Sequence, residues 1–252
     1  MICELNDTSK AARLFDGWEE TLITSCLQQV MGRIFVTDTE HPGSALAFVG
    51  CFGFFAGEPD RELAGYRPEG FAILTPQNDA WAKLIEEAWP DAKKVTRYAI
   101  KKDTVFDKAK LKKLAAVPEG YELRRIDAGI YDLCLQDPVT YDFVSCFGNK
   151  QMYLELGQGM VILKGGKIVS GASSYTRYRE GIEIEVDTVP EERGKGLATA
   201  VCAALILGCL QEGLYPSWDA QNLTSVHMAQ KLGYEFSHEY TVYEVSSEER
   251  TH

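Results

Sequence analysis

The chain has 252 residues, 45% of them hydrophobic and 25% charged, with a formal net charge of -11. That charge excludes a general nucleic-acid surface, which needs many Lys and Arg to displace counterions from phosphates. The longest apolar stretches, such as residues 45–56, are too short and too glycine-interrupted to span a bilayer. Met1 leads into no basic region with a long apolar run, so a soluble, cytoplasmic protein with no membrane partner is expected.

A chain of this length buries roughly 70 to 75% of its unfolded surface, enough for one large domain or two small ones. Residues 9–31 read as a helix, with Leu14, Phe15, Trp18, Leu22 and Cys26 at helical spacing. Strand-like runs follow at 33–36, 45–55 and 71–74, where Phe48, Phe52, Phe54 and Phe55 read as core or interface residues. A helix is expected over 78–89, capped at Asn78 or Pro76 and stopped before Pro90, and then a strand over 94–101. A basic stretch over 101–113 leads to Val117-Pro118-Glu119-Gly120, the best division in the sequence. It separates an N-terminal α/β domain, 1–118, able to form part of an acceptor pocket, from a second domain, 119–252.

The second part opens with a strand over 121–126 and two helical pieces across 128–147, broken around Pro138. Strands are expected at 159–163, 167–175 and 181–186, joined by tight turns at Gly165-Gly166 and Arg179-Glu180-Gly181. A helix over 199–211, a strand over 215–218, a helix over 224–232 and a strand over 240–245 complete the chain. An antiparallel meander passing into alternating strands and helices is a mixed α/β or α+β architecture.

In the strand from Gly181, Ile182, Ile184 and Val186 share one face, and Glu183, Glu185 and Asp187 the other. Three like charges are either a solvation device or include a general base, of which Glu183 and Glu185 are the better candidates. Downstream, Gly194 and Gly196 permit a tight turn that leads into a helix whose exposed amides suit an anion, with Arg193 and Lys195 adding positive charge. Neither the P-loop spacing nor the three-glycine dinucleotide fingerprint is present. Asn222 or Thr224 can cap the next helix and Gly233 can end it. Trp218 has a packing role, and Asp219 either caps a turn or orients Asn222 and an amine. His227 reads as structural. The seven cysteines and four histidines form no metal-ligand pattern, so no metal is expected.

Arg193-Gly-Lys-Gly-Leu-Ala resembles the pyrophosphate loop of the GCN5-related N-acetyltransferases, and Asn222 through Tyr234 resembles their following motif. Together with Glu-Val-Asp-Thr at 185–188 and Trp-Asp-Ala-Gln-Asn at 218–222, the pattern is most similar to the zwittermicin A resistance-type branch. The likeness covers about residues 120–246 and is strongest over 181–234. It implies a mixed, mostly antiparallel sheet flanked by helices, with acetyl-CoA as the donor and a small-molecule primary amine as the acceptor. It further implies that the backbone of Thr188 and Val189 pairs with the pantetheine arm. Arg193, Gly194, Lys195, Gly196, Leu197, Ala198 and Thr199 would surround the pyrophosphate, and Asn222 and Ser225 would touch the arm. The thioester would lie where the strands at 183–189 and 215–218 splay apart. Ala229 stands where many members carry the tyrosine that protonates the departing thiolate; Ser225, Tyr234, Tyr175, Tyr178 and water are the substitutes. The same departure leaves open an acyl-CoA-binding protein without turnover. The element order of the first part resembles a degenerate second copy of the same fold. No oligomeric state follows from the pattern, and a homodimer is compatible with it.

Overall fold

The computed structural model describes residues 1–247; residues 248–252, the end of the second expected domain, lie outside the described residues. The chain begins with β1 (Cys3–Glu4), a 3-10 stretch (Thr8–Phe15), α1 (Thr21–Leu27), β2 (Arg33–Val36), β3 (Ser44–Val49) and β4 (Phe52–Gly57). There follow α2 (Arg61–Ala64), β5 (Phe71–Pro76), α3 (Asp79–Ala88), β6 (Lys93–Ile100), α4 (Lys108–Leu114) and β7 (Glu122–Arg125). Next come α5 (Ala128–Cys134), α6 (Pro138–Ser145), α7 (Lys150–Leu156), β8 (Gly159–Lys164), β9 (Lys167–Tyr178) and β10 (Gly181–Thr188). A 3-10 turn (Pro190–Glu192), α8 (Leu197–Gln211), β11 (Tyr215–Ser217), β12 (Asp219–Ala220), α9 (Leu223–Leu232) and β13 (Phe236–Ser246) complete it.

These elements form two compact units, 1–97 with 239–247, and 98–238. Both dividing points fall inside strands, β6 and β13. The turn around residue 118 is a connection between α4 and β7 within the second unit.

In the first unit the strand order is β1-β2-β3-β4-β5-β13. β1 to β4 pair antiparallel, β5 runs parallel to β4, and β13 is antiparallel to β5. The apolar run over 45–55 is two strands rather than one, because Gly50 takes a left-handed turn at φ 57°. Likewise the helix expected over 9–31 is interrupted at Gly17, φ 78°, between the 3-10 stretch and α1. Asn78 caps α3 as expected, accepting from the amides of Ala80 and Trp81. The Trp81 ring is fully buried against Phe55, with its Nε1 donating to the Gly57 carbonyl at 2.9 Å.

The second unit contains a sheet of order β11-β10-β9-β8-β7. β7 to β10 are an antiparallel meander, and β11 is parallel to β10. Each unit therefore has four antiparallel strands followed by a fifth parallel to the fourth, the repeat suggested by the element order. α8 is apolar on every side, and accordingly it is enclosed, packing on β8 to β11 with α4 and α9 against it. Cys202 and Cys209 lie in this core. On the opposite face α6 crosses β9 and β10.

That crossing depends on Gly171 of β9, where an added Cβ would lie 2.3 Å from Phe143 of α6. A residue of any size there must displace the ring. Gly171→Ala is expected to lower stability by about 1–3 kcal/mol in urea unfolding, and Phe143→Leu in the same chain to restore part of the loss. An unchanged midpoint for the single variant would contradict this packing.

Candidate active site

β11 pairs along its whole length with only the start of β10, where Gly181, Ile182 and Glu183 oppose Tyr215, Pro216 and Ser217. Beyond Glu183, β10 continues to Thr188 paired with β9, while the chain after Ser217 passes into β12, which pairs with β6. The pairing ends at Glu183 and Ser217, and from there the two chain segments part. The Val189 amide donates to the Val169 carbonyl at 3.0 Å. By the alternation of an antiparallel ladder, Val186 and Thr188 then turn their peptide groups away from β9. Those of Thr188 are occupied: Arg193 Nε donates to its carbonyl at 2.9 Å, and its amide donates to Asp187 Oδ1 at 2.6 Å. Val186 presents its peptide edge to the opening.

At the far end of β10 the chain forms the glycine turn. Gly194 and Gly196 adopt φ of 77° and 80°, and a Cβ at either would meet nothing within 4 Å. Backbone conformation, not crowding, is what calls for glycine here. α8 starts with Gly196 as its cap residue and has no side-chain cap, and its first turn carries no acidic residue. The amides of Leu197, Ala198 and Thr199 precede the first intrahelical bond, from Ala200 to the Gly196 carbonyl at 3.0 Å. These donors and the helix dipole favour an anion. A cleft of about 390 Å³ lies over them, lined by Val186, Asp187, Thr188, Glu192, Arg193, Gly194, Gly196, Leu197, Ala198, Thr199, Thr224 and Met228. Open glycine positions, unfilled amides and a cleft running along a strand edge fit an elongated phosphate-bearing group.

The loop cations are already engaged. Arg193 holds the Thr188 carbonyl and lies 3.3 Å from Asp187 Oδ1. Lys195 Nζ lies 2.6 Å from Glu192 Oε2. Glu192 also accepts from Lys164 at 2.7 Å and from the Tyr121 hydroxyl at 2.5 Å. These hydrogen bonds, from Lys164 first and then Lys195 and Tyr121, push its carboxyl down to about 2. The charged side chains shape the turn, and the backbone supplies its free donors.

Ile182 and Ile184 belong to the core beneath α8, and Val186 packs against it. Glu183, Glu185 and Asp187 therefore share the other face. Glu183 is buried at the parting point, with its Oε2 3.9 Å from Lys102 Nζ, which donates to the Trp218 carbonyl at 2.9 Å. Glu185 is half-buried, on the stretch of β10 beyond its pairing with β11. Ala229 is fully buried. Among its substitutes, Tyr234 is enclosed and donates to the Pro216 carbonyl at 2.6 Å, and burial raises its phenol well above the ordinary value. Burial likewise raises Tyr178. Ser225 is half-buried, and its Oγ accepts from Trp218 Nε1 at 3.1 Å.

Val189, Lys195, Asn222 and Ser225 are not among the residues lining the cleft. Asn222 instead caps α9 by accepting from the Ser225 amide at 2.9 Å, and His227 is exposed. Val186, Thr224 and Met228, which the sequence marks only for packing or capping, line the cleft, and Lys102 has no signal of its own in the sequence. The spacing of Thr224 and Met228, four apart on α9, marks a shared helix face but not what it faces. Nothing local pointed to Lys102, whose partners are 81 and 116 residues away.

Because its carboxyl is depressed, Glu192 contributes stability that is present above the ordinary value of about 4.3 and is lost as pH falls through about 2. The difference in urea midpoint between the wild type and Glu192→Gln is expected to be constant from pH 7 to 5 and to narrow steadily toward pH 3. A difference independent of pH would contradict the bonding described for this carboxylate.

The GNAT acetyltransferase family model matches residues 12–243. The chain is 28% identical over 244 residues to the uncharacterized N-acetyltransferase YdfB of Bacillus subtilis strain 168, covering 90% of this chain and 91% of that protein. A crystal structure of a GCN5-related N-acetyltransferase-like protein from Streptococcus suis 89/1591 shares 48% identity and a TM-score of 0.89, over 94% of this chain and 98% of the other. A tandem GNAT protein from the clavulanic acid biosynthesis pathway is alike in fold, with a TM-score of 0.57 at 12% identity over 98% of each chain. The protein thus belongs to the GNAT acetyltransferase family.

Proposed function

We propose that this protein transfers an acetyl group from acetyl-CoA to the primary amine of a small molecule by direct attack. The observation that carries the reading is the cleft that joins the bare start of α8 to the Val186 peptide edge, three residues past the last pairing of β10 with β11 at Glu183. The diphosphate would rest on the amides from Gly194 to Thr199. Val186 would pair with the pantetheine arm in place of Thr188 and Val189, whose peptide groups are bonded within the protein. The thioester, when bound, supplies an activated acetyl carbon.

Glu185 accepts the amine proton at its carboxylate, since it is the more accessible of the two acidic candidates and lies just past the parting point. Glu183 and Lys102 brace the apex of the opening. Ala229 removes one source of a proton for the leaving thiolate, and none of the lining residues is a tyrosine. Without a dedicated acid, the departing thiolate takes its proton from water. The absent tyrosine also favours a second reading, an acyl-CoA-binding protein without turnover.

Small amines and amino-group antibiotics are the acceptors to screen, following the resemblance to the zwittermicin A resistance-type branch. Once an acceptor is found, Glu185→Gln is expected to lower kcat by about 10²–10⁴-fold with little change in KM for acetyl-CoA. An unchanged kcat would remove Glu185 as the base. Tight acetyl-CoA binding with no turnover across the panel would favour the second reading.

A further inference from the structure

The cluster of Tyr121, Lys164, Glu192 and Lys195 has more donors than the loop needs. The Glu192 side chain is only 11% exposed, while those of Lys164 and Lys195 are 47% and 43% exposed. Both ammonium groups converge on this one carboxylate, at 2.7 Å and 2.6 Å. Lys164 is further steadied 5.1 Å over the Tyr121 ring, and Lys195 reaches the Glu191 carbonyl at 3.3 Å. An ammonium has three donors, so each lysine retains N–H groups for an incoming ligand.

Two positive charges against one carboxylate leave a local excess of one positive charge in a chain whose formal net charge is -11. Glu192 is itself a lining residue of the cleft, and both lysines reach the cleft's wall by their bonds to it. A buried carboxylate that fixes two half-exposed ammonium groups is a pre-ordered receptor for a compact dianion, because little side-chain freedom remains to be lost on binding.

Coenzyme A carries two separate phosphate groupings, the diphosphate and a monoester on the ribose 3′ carbon. The loop amides account for the first and leave the second without a partner. Resting on the acetyl-CoA reading above, we propose that Lys164 and Lys195, held by Glu192, form a phosphate-monoester subsite that takes the ribose 3′-phosphate and makes the protein prefer CoA to dephospho-CoA. Lys164 is the new element: it lies at the end of β8, outside the loop motif, and reaches the loop through Glu192.

The test is calorimetric titration of CoA and of dephospho-CoA into the wild type, Lys164→Met and Lys164→Arg. The wild type is expected to bind CoA at least roughly tenfold more tightly than dephospho-CoA. Lys164→Met should lose most of that preference through weaker CoA binding, with its affinity for dephospho-CoA kept within about twofold, and Lys164→Arg should retain it. Retained dephospho-CoA binding also shows that the variant is folded. Equal binding of the two ligands by the wild type overturns the subsite while leaving the cleft as a CoA site. A preference that survives in Lys164→Met overturns it too. Binding of neither ligand sinks the acetyl-CoA reading and the subsite with it.

Discussion

The site depends on the place where β10 and β11 stop sharing hydrogen bonds. A parallel pair that continued past Glu183 and Ser217 would consume the Val186 edge and close the cleft. Instead Ser217 leads through Trp218 into β12, and the Trp218 carbonyl is satisfied by Lys102. Peptide groups in a buried position need partners. The opening persists because its borders are bonded elsewhere: Thr188 to Arg193 and Asp187, Trp218 to Lys102, and Tyr234 to Pro216.

The two units show what turns a strand pattern into a binding site. Both have a meander followed by a parallel fifth strand. In the first unit the helix after the fourth strand is one turn long, and the Asp60 carboxylate accepts from its leading amides, Glu62 and Leu63. A carboxylate fills the place that an external anion would take. In the second unit Gly196 stands at that position, α8 is 15 residues long, and its leading amides face the cleft. Exchanging a capping carboxylate for a glycine separates a self-satisfied helix start from one that can receive a ligand.

Much of this was legible in the chain. The alternation of Ile182, Ile184 and Val186 placed the acidic face correctly, and the Gly194-Lys195-Gly196 turn located the start of α8 within two residues of the expected 199. Both signals are local and periodic. The failures were of a different physical kind. Spacing showed Arg193 and Lys195 as positive charge beside the turn but not their partners Asp187, Thr188 and Glu192, which are assigned only by the folded turn. Choosing between Val186 and Thr188 as the open strand edge required the register with β9, and a one-residue change of register reverses which peptide groups face the gap. Breaks at Gly17 and Gly50 were missed because apolar spacing ran through them, whereas a left-handed φ ended each element. Lys102 and Lys164 were invisible for a simpler reason: their partners are far along the chain.

The central claim is that backbone amides, rather than the loop's charged side chains, receive the diphosphate of the donor. Amide hydrogen exchange, read residue by residue with and without saturating acetyl-CoA, tests it most directly. Slowed exchange at Leu197, Ala198 and Thr199 together with Val186, with the amides of α3 unchanged, is the predicted result. Unchanged exchange at those four amides in the presence of bound acetyl-CoA would contradict the account.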